Sequence, residues 1–143
     1  MPLIEEFCSI YRDLTKISSS DLQRIYTNNV EFIDPITTHH GLGEVQQYFA
    51  NLKDVATSCE FTIFDVVHCA DNPAGISHVL NWEMKLVLNK PHKCVFLTGT
   101  TQLKQNEDGF YYHRDFYDLG EMVYEHVPVL GWCVKAIKRK LAS

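Results

Sequence analysis

The chain has 143 residues, 45% of them apolar and 22% charged, the size and balance of one globular domain that can bury its own core. A formal net charge of -5 argues against nucleic acid as a partner, and no apolar run is long enough for a membrane span, so no membrane partner is expected. Cys8, Cys59, Cys69, Cys94 and Cys133 show no C-x-x-C spacing, which excludes a zinc ribbon or thioredoxin-type site; each reads as a reduced, small buried hydrophobe in a cytoplasmic protein with no secretory leader.

Apolar residues at Ile4, Phe7, Tyr11 and Leu14 make a helical stripe over Leu3 to Leu14. After Ser18-Ser19-Ser20, either Ser20 or Asp21 caps a second short helix carrying Leu22, Ile25 and Tyr26. Val30 to Asp34 is a short strand with Val30, Phe32 and Asp34 on one face, ended by Pro35. Thr37 to Gly41 reads as a loop, and Leu42 to Leu52 as a third helix bearing Val45, Tyr48 and Phe49.

From Ser58 the pattern changes to strands. Phe61 to Cys69 is rich in β-branched and aromatic residues, and residues 71 to 75 are a turn. Ile76 to Leu88 alternates: Leu80, Trp82, Met84, Leu86 and Leu88 face one way, Asn81, Glu83 and Lys85 the other. A turn over Asn89-Lys90-Pro91-His92 leads into Cys94 to Gln105, and Asn106 to Gly109 is a hairpin turn before a last strand, Phe110 to Asp118. Glu121 to Ser143 reads as a helical tail interrupted around Pro128 and Gly131. Its stretch from Val134 to Leu141 is basic and amphipathic, either a membrane-docking element or a lid whose Ile137 and Leu141 pack on the domain. Helices followed by hairpin-connected strands define an α+β domain with an antiparallel sheet, one domain over 1–143 with its core at about 3–118 and its tail at about 121–143.

The last strand carries the densest chemistry. Tyr111, His113, Asp115 and Tyr117 share one face, with Arg114 and Asp118 on the other. A carboxylate and an imidazole at i and i+2 either form an acid/base pair or hydrogen-bond each other and brace the sheet. Asp34 before a proline either holds a local turn or projects a carboxylate into an apolar pocket, where burial would tune it as a base. His39-His40 is poor ligand spacing for one ion and reads as an exposed turn, so no metal is expected.

Tyr26-x-x-x-Val30-x-Phe32-x-Asp34-Pro35, Gly41-Leu42 opening a helix, and Asp108-Gly109-Phe110-Tyr111-Tyr112-His113-Arg114-Asp115-Phe116-Tyr117-Asp118 resemble the SnoaL-like branch of the nuclear transport factor 2-like superfamily. The tail Tyr124-Glu125-x-x-Pro128-x-Leu130-Gly131 resembles an uncharacterised bacterial subgroup of that branch. The resemblance implies a cone-shaped, curved antiparallel sheet packed on N-terminal helices and wrapped around an apolar pocket. It implies a proton-shuttling role for Asp34, as in ketosteroid isomerases, and an oxyanion-donor role for Tyr11. The third acid of those isomerases falls where this chain has Thr101. The aspartate that epoxide hydrolases of this fold keep in the last strand matches Asp115, but their arginine and second aspartate are absent from Asn81-Trp82-Glu83-Met84-Lys85.

The catalytic candidates are therefore Asp34, Asp115, Tyr11 and His113, and the pocket candidates Phe32, Trp82, Met84, Thr101 and Tyr117. Tyr11, on the helix stripe, has the plainer reading of a core aromatic. Three functions remain open: a cofactor-independent isomerase or hydrolase acting on a small hydrophobic ligand, a non-catalytic binding module, and a homodimer joined through the polar outer face of the sheet.

Overall fold

The structure is a computed structural model that describes residues 2–90, 92–122 and 128–142. It contains α1 (Leu3–Ile10), α2 (Ser19–Gln23), β1 (Tyr26–Ile33), β2 (Thr38–His40), α3 (Leu42–Val55), β3 (Ala56–His68), β4 (His78–Leu88), β5 (Lys93–Asn106), β6 (Gly109–Tyr117), α4 (Leu119–Met122) and α5 (Pro128–Ala142). Six strands form one curved sheet in the order β2-β1-β6-β5-β4-β3. Neighbours run antiparallel except β1 and β6, which are parallel and set Phe32 beside His113. This is the expected α+β architecture.

The inner face of the sheet packs on α1 and α3 in one apolar core, in which Phe7, Ile25, Val30, Val45, Leu80, Leu97 and Phe110 are all buried. At about 25 cal/mol per Å² of apolar surface removed from water, such burial is the main term holding the helices to the sheet.

Several local readings need correction. The first helix stops at Ile10 rather than Leu14. The Tyr11 carbonyl accepts from the Phe61 N–H (3.3 Å) and the Leu14 N–H donates to the Cys59 carbonyl (2.9 Å), so this segment turns to meet β3. The second helix begins after Ser18, whose N–H donates to the Asp21 carboxylate at 2.8 Å, and not after Ser20. Tyr26 opens β1 instead of lying on that helix. The expected loop at 37–41 contains β2, which pairs His39 with Phe32. Only Cys59 is a buried thiol; Cys94 and Cys133 are exposed.

The tail divides into α4 and α5, with residues 123–127, including Tyr124 and Glu125, outside the described residues, as is Pro91. α5 starts at Pro128 and runs through Gly131 without a break. Ile137 and Leu141 are 61% and 82% exposed, so the lid contacts expected of them are not made. Lys138 pairs instead with Asp118, whose carboxyl this hydrogen bond holds below the usual range. Among the described residues no helix is long and apolar enough to cross a membrane.

The outer face is less polar than its charges suggest. Phe96 and Phe116 are exposed there, with Lys85 5.9 Å from the first ring and Arg114 4.8 Å from the second.

Candidate functional site

Between the sheet and the helices lies a cavity of about 60 Å³. Its upper bound is on the order of five water-sized positions, at roughly 10–15 Å³ each. β1 contributes Phe32 with the adjoining Asp34, and α3 contributes Tyr48, Phe49 and Leu52. Cys59 and Phe61 come from β3, and Trp82, Met84 and Leu86 from β4. Tyr11, Leu14, Asp115 and Tyr117 complete the wall. Of the candidate residues, Tyr11, Asp34, Asp115, Phe32, Trp82, Met84 and Tyr117 meet here, whereas His113 and Thr101 stand behind Asp115.

One hydrogen-bonded chain links most of them. Trp82 Nε1–H donates to Thr101 Oγ1 (2.8 Å), and Thr101 donates to Asp115 Oδ1 (2.5 Å). His113 Nε2 lies 2.7 Å from the same oxygen, its Nδ1 lies 2.7 Å from the Tyr26 hydroxyl, and that hydroxyl lies 2.7 Å from the Tyr11 hydroxyl. An indole N–H only donates, so Thr101 must turn its own hydrogen to Asp115. With Asp115 as a carboxylate and His113 neutral, Nε2 carries the imidazole hydrogen, Nδ1 accepts from Tyr26, and Tyr26 accepts from Tyr11. Tyr11 then presents lone pairs, not a hydrogen, to the cavity. That differs from the oxyanion-donor role that the resemblance implies.

Geometry supports this chain from every side. Registers Thr101↔Asp115 and Leu103↔His113 place the β5 and β6 groups side by side. The His113 ring, 0% exposed, stacks on Phe32 at 4.2 Å and lies 5.9 Å from Tyr11. Phe7 stacks on Tyr11 at 4.3 Å. Gly99, opposite Trp82 in the sheet, leaves room for the indole: a Cβ there would sit 2.5 Å from Trp82 Cη2.

Asp115 and Asp34 differ in what they leave open. Asp115 Oδ1 takes two donors, while Oδ2 accepts no hydrogen bond from the described residues, and 13% of the side chain is exposed. Asp34, 7% exposed, accepts from the Ile36 and Thr37 N–H groups at Oδ1 (2.8 and 3.0 Å) and from the Tyr48 hydroxyl at Oδ2 (3.0 Å). It closes the β1–β2 turn, the local role its place before Pro35 suggests.

Burial drives the Tyr11 and Tyr26 hydroxyls well above their ordinary value, with Asp115 adding to the shift, so both remain protonated phenols. Burial also pushes the Cys59 thiol up to about 12, which removes it as a thiolate nucleophile near neutral pH. His39 does not lie in the exposed turn expected of it: it is in β2, its ring packs 4.6 Å from Tyr48, and its Nε2 is buried without a hydrogen-bond partner among the described residues. No group of three or more metal-ligating side chains occurs among the described residues.

Tyr26, Tyr48 and Phe61 are the site residues that the sequence reading missed. The sequence pattern places Tyr26 on a helix; its position four residues before Val30, with the parity of Val30 and Phe32, is the signal that puts it on the strand.

The fold is that of the nuclear transport factor 2-like, ketosteroid isomerase-like proteins. A ketosteroid isomerase-like hypothetical protein from Catenulispora acidiphila DSM 44928, in complex with trimethylamine, matches with TM-score 0.70 and 12% identity over 83% of this chain and 87% of that one. An NTF2-like protein of unknown function from Exiguobacterium sp. 255-15 matches with TM-score 0.70 and 12% identity over 82% and 99%. A putative SnoaL-like polyketide cyclase from Jannaschia sp. CCS1 matches with TM-score 0.68 and 14% identity over 82% and 85%. At these identities the likeness is one of fold. No curated protein matches the chain in sequence. The family model of an uncharacterized conserved protein, DUF2358, matches residues 6–113, and the chain belongs to that family.

Proposed function

We propose that the protein is a cofactor-independent acid/base enzyme that moves a proton on a small, largely apolar molecule, with Asp115 as the base. The carrying observation is the asymmetry of that carboxylate, which lines the cavity: Oδ1 is anchored by His113 and Thr101, and Oδ2 accepts no hydrogen bond from the described residues. An oriented carboxylate in a mostly apolar enclosure is a general base held ready, because little reorganisation precedes proton transfer. The proton leaves a carbon or hydroxyl of the substrate for Oδ2, the electron pair stays on the substrate, and the same carboxyl returns the proton to another atom. His113 is a positioning residue that fixes Asp115, and Tyr11 accepts a hydrogen bond from the substrate. The cavity volume suits a molecule of a few heavy atoms better than a steroid. Five unpaired cysteines accord with a reducing, cytoplasmic setting.

The experiment is exchange of the α-hydrogens of cyclobutanone in D2O, followed by NMR, together with turnover of small epoxides and β,γ-unsaturated ketones. Asp115→Asn is expected to lower the catalysed rate by about 10²-fold or more, and Asp34→Asn by less than about tenfold, since Asp34 is a turn residue. Catalysis unchanged in Asp115→Asn rejects the reading. A wild type inert towards all three substrate types turns the assignment to a binding module.

Phe96 and Phe116 on the outer face also support a homodimer through the sheet, with Lys85 and Arg114 at its rim. Light scattering at micromolar concentration should show a dimer that Phe96→Asp converts to monomer; a monomeric wild type refutes it.

A further inference from the structure

We infer that the cavity selects a ligand carrying a positive charge, a small protonated amine, over a neutral or anionic molecule of the same shape. The inference deepens the proposed function and rests on its reading of this cavity as the working site.

The charges inside do not balance. Asp34 and Asp115 both line the cavity, and among the described residues no Lys, Arg or His lines it. A carboxylate oxygen facing an apolar space without a counter-charge is costly, and a cation in that space offsets the cost. His113 reaches Asp115 only at Oδ1, and His39 packs on Tyr48 and Phe32 without lining the cavity itself.

The hydrogen-bonding polarity points the same way. The donors around the cavity are turned to internal partners: Trp82 to Thr101, Thr101 to Asp115, Tyr48 to Asp34. Tyr11, 4% exposed, gives its hydrogen to Tyr26 when Asp115 is a carboxylate and His113 is neutral, which leaves its lone pairs for a ligand. Asp115 Oδ2 is a second open acceptor. The Tyr117 hydroxyl and the Cys59 thiol are the remaining donors. Two acceptors and a scarcity of donors suit an ammonium N–H rather than a carbonyl or carboxylate.

The walls complete the argument. Phe32, Tyr48, Phe61, Trp82 and Tyr117 surround the space with aromatic rings, and such rings attract cations through their negative faces while hosting alkyl groups. Burial raises the Tyr48 and Tyr117 hydroxyls, and the Asp34 and Asp115 carboxylates raise both further, as expected of a negative potential in this space.

The test uses three molecules built on one tert-butyl group: tert-butylammonium, tert-butanol and pivalate. Each is titrated into wild-type protein at pH 7 by calorimetry, and the site is located by chemical-shift changes at the Trp82 indole. The ammonium is expected to bind about tenfold or more tightly than the alcohol, with pivalate not binding. Asp115→Asn should reduce the ratio of ammonium to alcohol affinity to about twofold or less. Equal affinity for ammonium and alcohol, binding of pivalate, no binding of the ammonium, or ammonium binding that leaves Trp82 unperturbed would each overturn the inference. The wild-type series decides it even if the variant fails to fold. Amine selectivity without ketone exchange upholds this inference and ends the catalytic reading; exchange without amine selectivity does the reverse.

Discussion

The Tyr26 hydroxyl lies 2.7 Å from His113 Nδ1, joining the first residue of β1 to the middle of β6 across 87 positions of sequence. The pair is buried, and each member has one further partner: Tyr11 for the tyrosine, Asp115 for the imidazole. An imidazole with both nitrogens engaged has a fixed ring orientation, and it passes that orientation to the carboxylate it holds.

Tyr26→Phe removes the partner of a fully buried ring nitrogen, which costs about 1–3 kcal/mol. Tyr11→Phe should cost less, about 0.5–1.5 kcal/mol, because Tyr26 can still donate to His113. The double variant should be less destabilised than the sum of the two, since one hydrogen bond is shared. Urea unfolding of the three variants measures all of this; strict additivity would break the inferred chain.

Gly99→Ala places a Cβ against the Trp82 ring and the Phe116 carbonyl, at 2.5 and 2.8 Å. The sheet backbone cannot retreat, so the indole must move into the cavity. The expected cost is about 1–3 kcal/mol from overpacking, with a displaced Trp82 indole resonance and weakened binding of tert-butylammonium. A variant that keeps wild-type stability and the wild-type resonance would show that Gly99 does not set the indole.

The parts of the fold that periodicity governs were legible in the sequence. The alternation from Leu80 to Leu86 is an inner face of buried residues as read, because a pleated strand buried on one side leaves a period of two. Helix ends were less legible: Tyr11 and Leu14 continue the helical stripe, yet backbone bonds to β3 turn the chain at Tyr11. The convergence of Tyr11, Asp34 and Asp115 could be reached through motif resemblance. The Tyr26–His113 bond depends on the parallel β1–β6 pairing, a long-range register that no local pattern encodes. Exposure of Ile137 and Leu141 was equally invisible, because an amphipathic stripe does not say what covers it.

Asp34→Ala tests the turn. Two backbone N–H groups and the Tyr48 hydroxyl lose their acceptor, for an expected loss of about 1–2 kcal/mol. Asp34→Asn keeps a carbonyl oxygen for the N–H groups and should lose less than half as much. Were Asp34→Asn instead to leave stability intact and remove ketone exchange, the base would be Asp34 and not Asp115.

Asp13 ties the end of the α1 segment to β3: its Oδ1 accepts from the Thr15 N–H and hydroxyl and from the Cys59 N–H, at 2.9, 2.7 and 3.1 Å. Burial pushes its carboxyl up, but these hydrogen bonds and Lys16 outweigh burial, so the folded value lies below the ordinary one. A depressed folded value means the unfolded chain takes up the proton first as pH falls. The stabilisation is therefore complete above the unfolded value of about 3.9 and is lost as pH falls through the folded value. Asp13→Asn should be about 1 kcal/mol less stable than wild type at pH 7, a modest figure because solvent reaches this carboxylate. Denaturant midpoints at pH 7, 4 and 3 should show the gap narrowing with acid, since a protonated Asp13 and an asparagine offer similar acceptors. A gap that widens as pH falls would reverse the sign, and would mean that the clamp on Cys59 works through the protonated acid.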